Sequence, residues 1–112
     1  MAIPLQVTFR HLDPSPSAEQ LIREKADKLE RFEITGARVV VEAPHRSHNK
    51  GNHYKVTIDL TVPGAELVVD RSPADHGTHE DLHLAIREAF DHALRELEKR
   101  QEKRRTQARK VG

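Results

Sequence analysis

Apolar and polar residues alternate from Tyr54 to Val62, with Tyr54, Val56, Ile58, Leu60 and Val62 set between Lys55, Thr57, Asp59 and Thr61. A period of two buries one face of a strand and leaves the other in water. Pro63-Gly64 then reads as a tight turn, and Ala65 to Asp70 as a strand returning in a hairpin. Leu5, Val7 and Phe9 give the same alternation over residues 4–10, and Arg38-Val39-Val40-Val41-Glu42 is a short β-branched strand. Two other stretches have helical spacing. Ala18, Leu21, Ile22, Ala26, Leu29 and Phe32 predict a helix to about Phe32, capped by Ser15, opened by Pro16 and ended by Thr35-Gly36. From Glu80 onward, Leu82, Ala85, Ile86, Ala89, Phe90, Ala93 and Leu97 predict a second, longer helix. Thr78 and Asp81 before it have the spacing of a capping box.

The order β-α-β-β-β-α constrains the architecture. Strands that flank a helix pair in parallel through a right-handed crossover, while hairpin neighbours are antiparallel. The expected fold is a two-layer α+β domain, a four-stranded mixed sheet with both helices on one face. In this arrangement the polar loops 44–53 and 71–79 leave one end of the sheet, where the first strand also exits at His11. Both helices start at that end and run the same way, so their outer faces form one shared surface. Residues 1–105 are expected to be one domain, and 106–112 a disordered basic tail.

Charge changes the picture. The formal net charge is only +1, but seven of the 19 basic residues and one of the 18 acids lie from Lys99 to Gly112. A body of net −5 therefore carries a tail of net +6, an asymmetry that suits a polyanionic partner. The first helix offers Arg23, Lys25, Lys28 and Arg31, with Lys25 close to the apolar stripe, where its ammonium must snorkel outward. The second offers His92, Arg95 and Lys99 on one face, then Arg100, Lys103, Arg104 and Arg105. Solvated faces with i,i+4 ion pairs are the plain reading of such charges. Two neighbouring basic helices can also bracket a groove and hold phosphates. The four aromatics, Phe9, Phe32, Tyr54 and Phe90, look like core or strand residues. Folded RNA read by shape is expected rather than stacked single strands.

Other chemistry is poorly supplied. There is no cysteine, which rules out disulfides, thiolate metal sites and a cysteine nucleophile, and fits a reducing cytosol. No signal-like N-terminus and no apolar run of membrane-spanning length is present. His45 and His48, and His76 and His79, have H-x-x-H spacing, with His83, Asp75 and Asp81 nearby; a metal site of imidazoles is conceivable, but polar loop histidines are the simpler reading. No phosphate loop or nucleophile motif is found, and Ser72, Asp75 and His76 are close in sequence without forming a triad pattern. No enzyme, metal or cofactor is expected.

Several short motifs lie in order on this frame: Lys25-x-x-Lys28-Leu29 on the first helix, His79-Glu80-Asp81-Leu82-x-x-Ala85-Ile86 opening the second, then Arg95 and Lys99. In these the chain, over nearly all of residues 5–105, resembles the bacterial ribosome hibernation-promoting factors, the family of ribosome-associated inhibitor A and the sigma-54 modulation proteins. The resemblance implies a fold like that of double-stranded-RNA-binding domains. It implies a cytoplasmic, monomeric translation inhibitor seated in the messenger and transfer RNA channel of the small ribosomal subunit, on 16S-type ribosomal RNA. The residues expected to face that RNA are Lys25, Lys28, Arg31, His92, Arg95, Lys99, Arg100 and Lys103. His92 stands where well-known members usually carry Lys, and histidine is not constitutively charged near neutral pH. Loop 44–53 is longer than in those members. The chain is expected to be a short form, without the dimerisation domain of long members. The alternatives to weigh are a module that binds an acidic protein such as a sigma factor, and a histidine-based metal-binding protein. No membrane or small-molecule substrate is expected.

Overall fold

The computed structural model describes residues 3–43, 54–71 and 79–111, without the side chains of 71, 79–81 and 105–111. Its elements are β1 (Leu5–Arg10), α1 (Pro16–Asp27), β2 (Gly36–Glu42), β3 (Lys55–Val62), β4 (Ala65–Arg71) and α2 (His79–Val111). The strands form one sheet in the order β1-β2-β3-β4. β1 and β2 are parallel, and the β2–β3 and β3–β4 pairs are antiparallel. This is the expected α+β topology.

Register explains why one face is apolar. Val7, Val39, Ile58 and Val69 stand in one row across the four strands, and Leu5, Ala37, Leu60 and Leu67 in the next. Both helices cover these rows. Ile22 from α1, Ile86 from α2 and Val39, Val41, Val56 and Ile58 from the sheet are all fully buried. The intervening rows, such as Gln6, Arg38, Asp59 and Val68, belong to the face without helices. Thr57 donates to Asp70 there at 2.8 Å. Asp59 Oδ1 on the same face is shielded from solvent and has no hydrogen-bond partner among the described residues.

Local chemistry sets the ends of α1 and the hairpin. Ser15 Oγ accepts from the Ala18 N–H at 3.2 Å, and Pro16 occupies the first turn, where no N–H partner is needed. The helix is shorter than its apolar spacing predicts. After Asp27 the bonds become i to i−3: Lys28 N–H to Lys25 O at 3.2 Å, Leu29 to Ala26 at 2.9 Å, Glu30 to Asp27 at 3.2 Å. This tightened turn is a common way to end a helix. It still delivers Leu29 and Phe32 to the core, at 3% and 7% exposure, so the side-chain pattern does not distinguish it from a continued helix.

The second difference lies at the C-terminus. Residues 106–111 are helical, not a disordered tail. No Gly or Pro occurs between Thr78 and Val111, and Gln, Arg, Lys, Glu and Ala are good helix formers. Extending a helix already nucleated on the core avoids the cost of starting one. The loops 44–53 and 72–78, with the proposed cap Thr78, lie outside the described residues.

The hairpin turn generates a stability prediction. Gly64 has φ of 79° and follows Pro63, the φ signs of a type II turn. A Cβ there would meet no atom within 4 Å, so only backbone strain opposes it. Gly64→Ala should cost about 1–2 kcal/mol in urea unfolding, the left-handed penalty of an L-residue. A cost near zero would mean that the turn relaxes to another type.

Candidate nucleic-acid interface

The first helix and the turn that follows it touch α2 at two levels. Ser17 Oγ lies 3.4 Å from His83 Nε2, and Arg31 Nη2 donates to Glu98 Oε2 at 3.4 Å. The sequence offsets of these contacts are 66 and 67, so the helices run parallel and in register. The same offset sets Lys25 level with His92, and Lys28 level with Arg95. Between them, half-buried Leu21 and Leu94 pack against the core.

Helical rotation of about 100° per residue then sorts the basic residues. On α1, Lys25 and Lys28 share the flank of Ser17 and Leu21, which faces α2. Lys25 is half-buried and Lys28 exposed. On α2, His83, Arg87 and Leu94 face α1. Arg95 is turned about 120° from His83, onto the outer surface. His92, Lys99 and Lys103 are turned about 160–200° and occupy the flank away from α1. The eight expected residues thus form no single cluster. Lys25, Lys28 and Arg31 line the groove, Arg95 caps its outer rim, and His92, Lys99 and Lys103 continue around the far side.

Ion pairing separates them further. Arg31 is held by Glu98 and also sits over the Phe32 ring, 4.6 Å from its centroid. Lys99 Nζ is 3.6 Å from Glu96. Arg100 points the other way, donating to Pro63 O at 2.7 Å in the hairpin turn. Lys25, Lys28, Arg95 and Lys103 form no ion pair among the described residues. One position was missed by sequence reasoning. Arg87 is exposed one turn after His83, and only the helix pairing reveals that it borders the groove. Arg104 reaches Glu33 at 3.9 Å, across the end of the fold.

The family model for Sigma 54 modulation protein / S30EA ribosomal protein matches residues 5–105. The chain belongs to this family. That places it among ribosome-associated modulation proteins. No curated protein sequence matches it significantly. Solved structures share its fold. A ribosomal subunit interface protein from Coxiella burnetii superposes with a TM-score of 0.69 at 16% identity, over 89% of this chain and 99% of that one. The Protein Y N-terminal domain from Thermus thermophilus gives 0.63 at 22% identity, over 88% and 98%.

The described residues contain no group of three or more His, Cys, Asp or Glu that could hold a metal ion. The loop histidines His45, His48 and His76, with Ser72 and Asp75, lie outside them, as do the side chains of His79 and Asp81. No described helix is long and apolar enough to cross a membrane.

Glu98 is one of the acids that dilute this groove. Its pair with Arg31 is exposed on both sides, at 52% and 62%, and such pairs contribute about 0–1 kcal/mol. Glu98→Gln should therefore shift unfolding free energy by no more than about 1 kcal/mol. It should also raise the salt concentration at which the protein elutes from heparin. Earlier elution would place the polyanion surface elsewhere.

Proposed function

We propose that this chain binds the RNA of the small ribosomal subunit through its paired helices and inhibits translation by occupying the messenger and transfer RNA channel. The observation that carries the reading is the parallel register. It sets Lys28, at the end of the first helix, level with Arg95 on the second, with Lys25 about one turn before, on a rigid support and, for these three, without competing ion pairs among the described residues. Rigidly held cations of this kind suit phosphate oxygens, which position a protein on RNA without reading bases. Family membership supports the ribosome as the source of that RNA. Lys99, Lys103 and His92 would extend the contact around α2 to a second stretch of backbone. The inhibition is by occupancy, so it should be stoichiometric with ribosomes and relieved by competing initiation.

Co-sedimentation with small subunits across a salt series tests this directly. Each released phosphate contact contributes roughly 0.7–0.9 to the slope of log affinity against log salt, so binding should fall steeply between 50 and 200 mM, on the order of tenfold or more. Reversing Lys28, Arg95 and Lys99 to Glu together should weaken binding by at least about tenfold at moderate salt. Because all three are exposed, the unfolding free energy from urea titration should change by less than about 0.5 kcal/mol per site. Normal ribosome binding by the folded triple variant would reject the helix surface. A salt-independent association, or capture of an acidic protein in preference to ribosomes, would reject RNA as the partner.

A further inference from the structure

The three arginines at the far end of the helix pair enclose a second feature. The turn after α1, the β3–β4 hairpin and the continuation of α2 surround an open pocket of ≈ 540 Å³. Its floor is the apolar edge of the core, Phe32, Val62 and Leu97, each 7% exposed or less, with exposed Pro63 at one side. Arg31, Arg100 and Arg104 stand around it, against one carboxylate, Glu33.

The guanidinium groups differ in how firmly they are held. Arg100 is fixed by its 2.7 Å bond to Pro63 O, which uses one of its five N–H donors and leaves the others to a ligand. Arg31 is paired with Glu98 and lies over the Phe32 ring, 4.6 Å from its centroid, so it covers that ring and presents the outer face of its own guanidinium, 62% exposed as a side chain. Arg104 and Glu33 are 3.9 Å apart and exposed at 55% and 77%, a contact that a stronger anion readily replaces.

We infer that this pocket takes one unstacked nucleotide, with the base stacked on the Arg31 guanidinium above the apolar floor and the phosphate between Arg100 and Arg104. The inference rests on the RNA-binding reading above and adds base contact to an interface otherwise made of phosphate contacts. Each simpler occupant leaves part of the pocket unexplained. A phosphate alone has no use for the floor. A purely apolar ligand has no use for three guanidinium groups. A carboxylate side chain is too small for a space in the size range of small-molecule sites, about 300–1,000 Å³. A nucleotide joins a flat apolar-faced ring to an anion, and bases splayed from RNA loops stack on aromatic rings and guanidinium planes. Lys28 lies one turn before Arg31, so a strand following the groove can continue into the pocket. The scarcity of aromatics fits one captured base, not a stacked series.

Two measurements test this on the full chain. The first is an NMR titration with the four nucleoside monophosphates, the corresponding nucleosides, ribose 5-phosphate and inorganic phosphate. The monophosphates should shift amide signals of Phe32, Glu33, Gly64 and Arg104, and bind at least about fivefold tighter than ribose 5-phosphate, the contribution expected from one stacked base. Arg104→Ala, which leaves the Arg100–Pro63 bond intact, should reduce that affinity several-fold. Equal affinity for ribose 5-phosphate, or shifts confined to Lys28 and Arg95, would overturn the inference.

The second is base-specific chemical probing of ribosomes with the parent and with Arg104→Ala. One ribosomal RNA base should change reactivity with the parent and revert with the variant. Ribosome binding with identical base reactivities for both proteins would overturn the pocket while leaving the proposed function standing. Tight mononucleotide binding by a parent that ignores ribosomes would keep the pocket, assign it to a free nucleotide, and remove the ribosomal reading.

Discussion

Both helices must bury their apolar stripes on the same face of one sheet, and the rest of the molecule follows from that requirement. β1 and β2 are parallel, so α1 has to cross back over the sheet between them. β2 and β4 run in one direction because β3 lies antiparallel to both. The second helix therefore starts from the same end as the first. Side-by-side packing then fixes the register seen in the Ser17–His83 and Arg31–Glu98 contacts. The basic groove is a by-product of core burial. Its walls are held in place because Ile22 and Ile86 are both fully buried in one core with Val39 and Ile58.

Much of this was legible in the residues. The alternation in β3 identifies the buried set Val56, Ile58, Leu60 and Val62, all at 5% exposure or less. Ser15-Pro16 marks a helix start and Pro63-Gly64 a turn because each residue has a specific backbone preference. With element types known, handedness and adjacency rules leave few topologies. Two readings failed for identifiable reasons. Leu29 and Phe32 face inward in either an α-helix or a tightened turn, so apolar spacing cannot locate the end of α1. The tail was read as disordered from its charge, although its individual residues favour helix and it extends an existing one.

The candidate site was less legible. Counting cations along the chain finds Lys25, Lys28, Arg95 and Lys99, but not which flank each occupies relative to the other helix. That depends on long-range contacts. Glu98 and Arg31 are 67 residues apart, and Arg100 is tied to a carbonyl 37 residues before it. Local sequence carries no trace of either bond. Arg87 escaped notice for the same reason, being an ordinary exposed arginine until its helix is docked.

The parallel orientation of the helices has an electrostatic consequence of its own. Peptide dipoles in an antiparallel pair oppose one another, whereas those in a parallel pair add. The end of the sheet where α1 and α2 begin therefore carries the sum of two positive partial charges, with no side chain involved. The C-terminus of α1 contributes a negative partial charge at the opposite end, where Lys28 and Arg31 follow its last turn. Those cations offset the backbone field as well as facing a partner. The protein is thus polarised along its helix axes, and a polyanion approaching it meets a field that favours one orientation before any contact is made.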